Sequence, residues 1–243
     1  MKYKIIIRIQ KIRKHHYKKI VEDCLAVKIT PPKEKDLLTD IDALFKSKKK
    51  SVGKFIISRG ISERGYKFNE NITHNRFLIK TKMPSYPKEY FKIGVNLYVC
   101  KQKLNPSILS GVKHLNRLEN IMARQEWKGD DYADGILLDQ NGYVIECISS
   151  NIFMRIGNTI YTPKISQVGI KGVTRGLIIK ISMKLGFKIK ETTFKLNKLL
   201  ESDEVFITNS LFGVLQVKEI KNKLWQHQEL ASLFNQSLEN FNT

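Results

Sequence analysis

The chain has 243 residues, 42% of them hydrophobic and 9% aromatic, with a formal net charge of +20 at pH 7. That length supplies core for one large domain or two modest ones, and no apolar run approaches the ~18 residues that suggest a membrane-spanning helix. Three cysteines, Cys24, Cys100 and Cys147, are odd in number and lack metal-ligand spacing, which points to a reducing cytoplasm rather than secretion. The basic start and the apolar Ile5, Ile6 and Ile7 are interrupted by Arg8, too early for a signal peptide. The positive charge is mostly lysine, densest at residues 46–50 and 11–19, without interleaved arginines and aromatics that would stack on bases. It reads as solvated surface with a general attraction for anions. A nucleic-acid partner is not expected.

Residues 3–9 are apolar and β-branched, a strand. Residues 15–27 carry Ile20, Cys24 and Val27 at helical spacing, and Pro31 and Pro32 end that helix. Residues 34–45 form a second amphipathic helix with Leu37, Leu38, Ile41, Leu44 and Phe45 on one face. The lysine run and Gly53 read as an exposed turn, followed by a strand at 55–59, a glycine-bearing loop at 60–65, and strands at 75–81 and 92–100. The polar, proline-bearing stretch 104–107 is the expected linker. It divides the chain into an N-terminal α/β domain, 1–106, and a C-terminal domain, 107–243.

Beyond it, Leu115, Leu118, Ile121 and Met122 recur at helical spacing and predict an amphipathic helix opening beside Lys113. A hairpin is predicted over 133–147 around the Gln140-Asn141-Gly142 turn, and a second over 151–162. Then come a helix from Gly172 through Lys184, a strand at 187–193, a short helix at 196–200, and strands at 204–208 and 214–220. The class is α+β, in two subdomains with a cleft at the linker.

Several groups are candidates for chemistry, and each has a plainer reading. Lys113 is either a lysine held rigidly toward a pocket or one more solvated cation. Glu146, in an otherwise apolar strand, is either a buried carboxylate needing a partner or a residue on the solvated face. Gly172, Val173 and Thr174 offer backbone amides and a hydroxyl to a phosphate, or an ordinary helix cap. Thr208, Asn209 and Ser210 are equally ambiguous. Arg59, Arg64 and Tyr66 suit carboxylates, or lie on the surface. No metal-ligand spacing, hydrolase triad, GxGxxG or P-loop is present.

Read in order, the motifs single out one family. Gly-Val-Lys-His-Leu-Asn-Arg-Leu-Glu-Asn at 111–120, Val-Ile-Glu-Cys-Ile-Ser-Ser-Asn-Ile-Phe at 144–153, Gly-Asn-Thr-Ile-Tyr-Thr-Pro, Gly-Ile-Lys-Gly-Val-Thr-Arg and Ile-Thr-Asn-Ser-Leu-Phe-Gly-Val-Leu-Gln-Val resemble the aminodeoxychorismate lyase family of fold-type-IV pyridoxal-phosphate enzymes. The match runs from about residue 55 to the C-terminus. The Lys-His-Leu-Asn-Arg-Leu form resembles the lyase more than its aminotransferase relatives. The resemblance implies that Lys113 holds pyridoxal 5'-phosphate as a Schiff base and Glu146 meets the pyridine nitrogen. Val173, Thr174 and Ser210 would lie near the phosphate, with Lys19 standing where the family has a phosphate-binding arginine. Arg59, Arg64 and Tyr66 would face the substrate's carboxylates. The implied reaction turns 4-amino-4-deoxychorismate into 4-aminobenzoate and pyruvate, for folate, in a cytoplasmic homodimer. A D-amino-acid or branched-chain aminotransferase on the same scaffold, and an inactive remnant with an anion- or nucleic-acid-binding surface, remain alternatives. The family's N-terminal hairpin, with its Gly-Asp-Gly-x-Phe-like segment, is not found, as though about thirty residues were missing.

Overall fold

The computed structural model describes residues 2–5, 9–46, 51–68, 72–226 and 229–241, with side chains from residue 13 onward. Two compact units divide after Ser85.

The first unit contains β1 (Lys2–Ile5), α1 (Ile9–Ala26), α2 (Glu34–Leu44), β2 (Ser51–Ser58) and β3 (Asn75–Lys82). The strands form an antiparallel sheet in the order β1-β2-β3. Ile20 and Cys24 of α1, Leu37 of α2 and Phe55 of β2 are its buried apolar cluster, so the helical spacing seen in the sequence does mark the inward faces. The strand expected at 3–9 ends at Ile5, Ile9 already belongs to α1, and residues 6–8 lie outside the described residues. Gly53 is not in a turn. It sits inside β2, opposite Tyr3 on one side and Lys80 on the other.

The second unit opens with α3 (Glu89–Lys92), β4 (Val95–Leu104), α4 (Leu118–Arg124) and the hairpin of β5 (Asp134–Asp139) and β6 (Val144–Cys147). It continues through β7 (Asn151–Ile156), β8 (Thr159–Pro163), α5 (Val173–Lys184), β9 (Lys188–Thr192), α6 (Leu196–Leu200), β10 (Glu204–Asn209), β11 (Gly213–Ile220), β12 (Lys223–Leu224) and α7 (Leu230–Glu239). Eight strands lie in the order β6-β5-β4-β11-β10-β7-β8-β9, with β12 paired to β11. The chain is therefore α+β. The domain boundary expected at residue 106 follows β4, whose Leu97 pairs with Ile220 of β11 and with Asp134 of β5. Residues 86–106 thus belong with the C-terminal sheet. The strand expected from residue 92 starts later, because Lys92 ends α3 and Gly94, at φ +94°, turns the chain into β4.

One core cluster, including Ile136, Val144, Cys147, Ile207 and Val217, packs on β4–β7, β10 and β11. A second places α5 and α7 on the sheet through Ile178, Ile181, Leu230 and Phe234, against Phe153 and Phe206, whose rings stack at 5.0 Å. A third joins Leu137 and Ile145 to Cys100, Ala123 and Trp127. The β5–β6 hairpin lies between the first and third clusters, so all four residues of β6 are buried. Its turn follows the Asn-Gly signal: Asp139 Oδ1 accepts from the Asn141 and Tyr143 amides at 2.9 and 2.8 Å, and Gly142 takes φ +80°.

Candidate functional site

The segment bearing Lys113 is tied to the strand-like stretch 169–171. Gly111 N–H donates to Gly169 O at 2.8 Å, and Lys171 N–H donates to Gly111 O at 3.2 Å. Gly111 is at φ +83°, a conformation that favours glycine. Arg117 Nη2 donates to Val112 O at 3.0 Å and closes the loop between them. The helix expected to begin beside Lys113 therefore starts only at Leu118. Its inward residues are Asn120 and Ala123, whereas Leu115, Leu118, Ile121 and Met122 are 62%, 66%, 55% and 51% exposed. The apolar spacing is real, but its face points away from this chain's core.

The same 169–171 stretch reaches the second group. Ile170 N–H donates to Glu146 Oε2 at 2.8 Å. Glu146 is 2% exposed, which decides between the two readings of this carboxylate. Its other oxygen, Oε1, is buried with no hydrogen-bond partner among the described residues. Burial pushes its pKa up to about 7, against the pull of the Ile170 amide and of the Arg117 and Lys113 charges. An orphaned carboxylate oxygen in such a place is costly unless a donor arrives.

The third group is the start of α5, a helix of 12 residues. Its cap position, Gly172, is extended and offers no side chain to the first turn, so the amides there are not capped by a side chain. Val173 is half-buried and Thr174 buried. Thr174 Oγ1 lies 3.3 Å from Ser210 Oγ, which follows β10. Two hydroxyls and a helix start are groups that suit an anion.

Lys113, Glu146, Val173, Thr174 and Ser210 all belong to the second unit and are linked through 169–171 and the ends of β6 and β10. Lys19, Arg59, Arg64 and Tyr66 belong to the first. There Lys19 is ion-paired with Asp23, one turn along α1. Arg59 closes the end of α1 by donating to Val27 O and Lys28 O at 2.6 and 2.5 Å, with Phe68 against its guanidinium. Arg64 and Tyr66 are exposed in the loop that follows.

The amino-transferase class IV family model matches residues 11–220. The chain belongs to the amino-transferase class IV family. Within it, the chain is 33% identical over 175 residues to the aminodeoxychorismate lyase of Vibrio harveyi, a match covering 69% of this chain and 62% of that protein. It is 34% identical over 143 residues to a probable branched-chain-amino-acid aminotransferase of Rickettsia bellii, covering 57% of this chain and 48% of that one. The matches thus span less than two thirds of these relatives' length. The crystal structure of 4-amino-4-deoxychorismate lyase from Pseudomonas aeruginosa superimposes with a TM-score of 0.89 at 28% identity, over 99% of this chain and 89% of that one.

Around these residues, sequence reasoning did not single out Asp134, 4% exposed, Asn120 or Asn151, and left Asn209 ambiguous; the three asparagine side chains hold the intervening loops. The available signal was an aspartate directly before a glycine at a strand start, and asparagines at element ends, where short polar side chains bond backbone.

Proposed function

We propose that this chain is a pyridoxal-phosphate-dependent lyase that converts 4-amino-4-deoxychorismate to 4-aminobenzoate and pyruvate. The observation that carries the reading is the likeness to the Pseudomonas aeruginosa lyase over 99% of this chain. The site supports the cofactor independently. Glu146 Oε1, buried and without a donor among the described residues, suits a pyridinium N–H. The uncapped start of α5, with Thr174 and Ser210, suits a phosphate. Lys113 is the amine that would hold the cofactor covalently.

When bound, the cofactor supplies a ring that withdraws electrons from the amine-bearing carbon of the substrate. Glu146, when ionised, would accept from the ring nitrogen and hold a proton there. Lys113 Nζ takes the proton from the amine-bearing carbon and returns one to the departing enolpyruvyl group. Aromatisation of the remaining ring drives the departure. Roles for Lys19, Arg59, Arg64 and Tyr66 at phosphate and carboxylates rest on the family resemblance alone.

The reading includes a homodimer, supported by the exposed apolar stripe Leu115, Leu118, Ile121 and Met122. It also includes a cytoplasmic setting, supported by three free, buried cysteines. Among the described residues no helix is long and apolar enough to cross a membrane. The second reading, a branched-chain aminotransferase, is favoured by the Rickettsia bellii relative. One experiment separates the two. Protein loaded with pyridoxal phosphate is given 4-amino-4-deoxychorismate, or a branched-chain amino acid, and the product and cofactor form are followed. Formation of 4-aminobenzoate, lost in Lys113→Ala, with no pyridoxamine form from the amino acid, is expected. Pyridoxamine formation without 4-aminobenzoate would overturn the lyase in favour of the aminotransferase.

A further inference from the structure

The turn 147–151, between β6 and β7, is hydrogen-bonded to β5, α4, the end of β10 and the 169–171 stretch. From β5, the Asp134 carboxylate accepts from Ser149 N–H at 3.2 Å and from the Ser149 and Ser150 hydroxyls at 2.8 Å each. It also accepts from the Gly135 amide at 2.8 Å. From α4, on the Lys113 side, Asn120 Nδ2 donates to Ile148 O at 3.1 Å. From the end of β10, next to Ser210, Asn209 Nδ2 donates to Ser149 O at 3.3 Å. At the far end of the turn, Asn151 Nδ2 donates to Ile170 O at 2.8 Å, and it is the Ile170 amide that holds Glu146. Asn151 Oδ1 also occupies the place a Cβ on Gly172 would take, just before α5.

A carboxylate 4% exposed is expensive to bury, and burial indeed raises Asp134's affinity for a proton. The charge-assisted hydrogen bonds from the Ser149 amide and the Ser149 and Ser150 hydroxyls offset that cost only if the turn keeps its shape. The dependence runs both ways, since a charge that needs the turn also holds it.

We propose that Asp134 is a positioning residue: its carboxylate clamps the 147–151 turn, and the turn keeps the segments carrying Lys113, Glu146, Thr174 and Ser210 in one relative placement. Asp134 is not proposed to touch substrate. The consequence for cofactor retention rests on the function proposed above, whereas the clamp itself does not.

Amide hydrogen exchange in the cofactor-free protein tests the clamp, comparing wild type with Asp134→Ala and Asp134→Asn. Asparagine lacks the charge, but its oxygen still accepts from the amides and its NH2 can donate to hydroxyls that reverse. Alanine lacks all of it. Exchange at the Ile170 amide is expected to rise about tenfold or more in Asp134→Ala, relative to Ile207 in the β10–β11 ladder, through local opening. In Asp134→Asn the rise is expected to stay below about threefold. Should Asp134→Ala fail to fold, Ser149→Ala with Ser150→Ala removes two donors, leaves the carboxylate, and is expected to deprotect Ile170 selectively. Equal acceleration at Ile170 and Ile207, or none at Ile170, would overturn the clamp. A pyridoxal phosphate titration in parallel is expected to show weaker binding in Asp134→Ala than in Asp134→Asn. Unchanged binding beside a deprotected Ile170 refutes only the consequence for the cofactor. If wild type takes up no cofactor, the proposed function fails, while the exchange rates still decide the clamp.

Discussion

Replacing Glu146 by glutamine isolates the electrostatic strain at the centre of the site. Burial raises the carboxyl from the ordinary 4.5 to about 7 in the folded protein. Between those values the folded chain binds more protons at this position than the unfolded one. Stability therefore falls as pH rises through that window, and the full cost is felt above about 7. The difference corresponds to about 3 kcal/mol, as an upper figure, for the cofactor-free protein at pH 8 relative to pH 5. Glutamine cannot ionise. Its carbonyl can still accept from Ile170, while its NH2 takes the place of the orphaned Oε1, at a cost that does not vary with pH. Urea unfolding at pH 5 and pH 8 is the assay, because every other titrating group is shared and cancels in the comparison. The wild type is expected to lose more stability than Glu146→Gln between those values, by a margin approaching about 3 kcal/mol. Parallel pH profiles would refute the claim that a buried, donor-poor carboxylate sits here.

Thr174→Val removes a buried hydroxyl 3.3 Å from Ser210 at the start of α5. It is expected to weaken pyridoxal phosphate binding about tenfold or more, measured by absorbance titration, if that hydroxyl meets the phosphate. Gly135→Ala would put a Cβ 2.6 Å from Cys100 Sγ and 2.8 Å from the Trp127 ring. It is expected to destabilise by about 1–3 kcal/mol in denaturant unfolding, by overpacking beside the turn. Leu118→Lys with Ile121→Lys charges two exposed apolar positions. Light scattering is expected to show a dimer in wild type and a monomer in the variant.

Elements whose pattern is local were the ones legible beforehand. The Asn141-Gly142 turn demands a positive φ, so the β5–β6 hairpin could be placed to within a residue or two. Spacing likewise located α2, because Leu37 and Ile41 face their own unit's core. The same rule failed in the Lys113 segment. Leu118, Ile121 and Met122 have helical spacing, yet they face outward, and periodicity alone does not say which surface an apolar face meets. Gly53 was misplaced since a glycine beside a charge run resembles a turn, whereas here pairing on both sides keeps it in β2. The helix α7 went unread, although Leu230 and Phe234, four apart, are its buried anchors. In the site, the motifs led to Lys113 and Glu146, but whether Glu146 was buried depended on a strand covered on both sides, a tertiary fact. Asp134 carried too little local signal to stand out, since its partners lie 15 and 16 residues away.

The central claim is that Lys113 is the cofactor amine. Protein incubated with pyridoxal phosphate and reduced with borohydride can be digested and its adducts mapped by mass spectrometry. A covalent adduct on the peptide bearing Lys113, absent from Lys113→Ala, is the expected result. Adducts scattered over other lysines with Lys113 unmodified, or none at all, would contradict the claim.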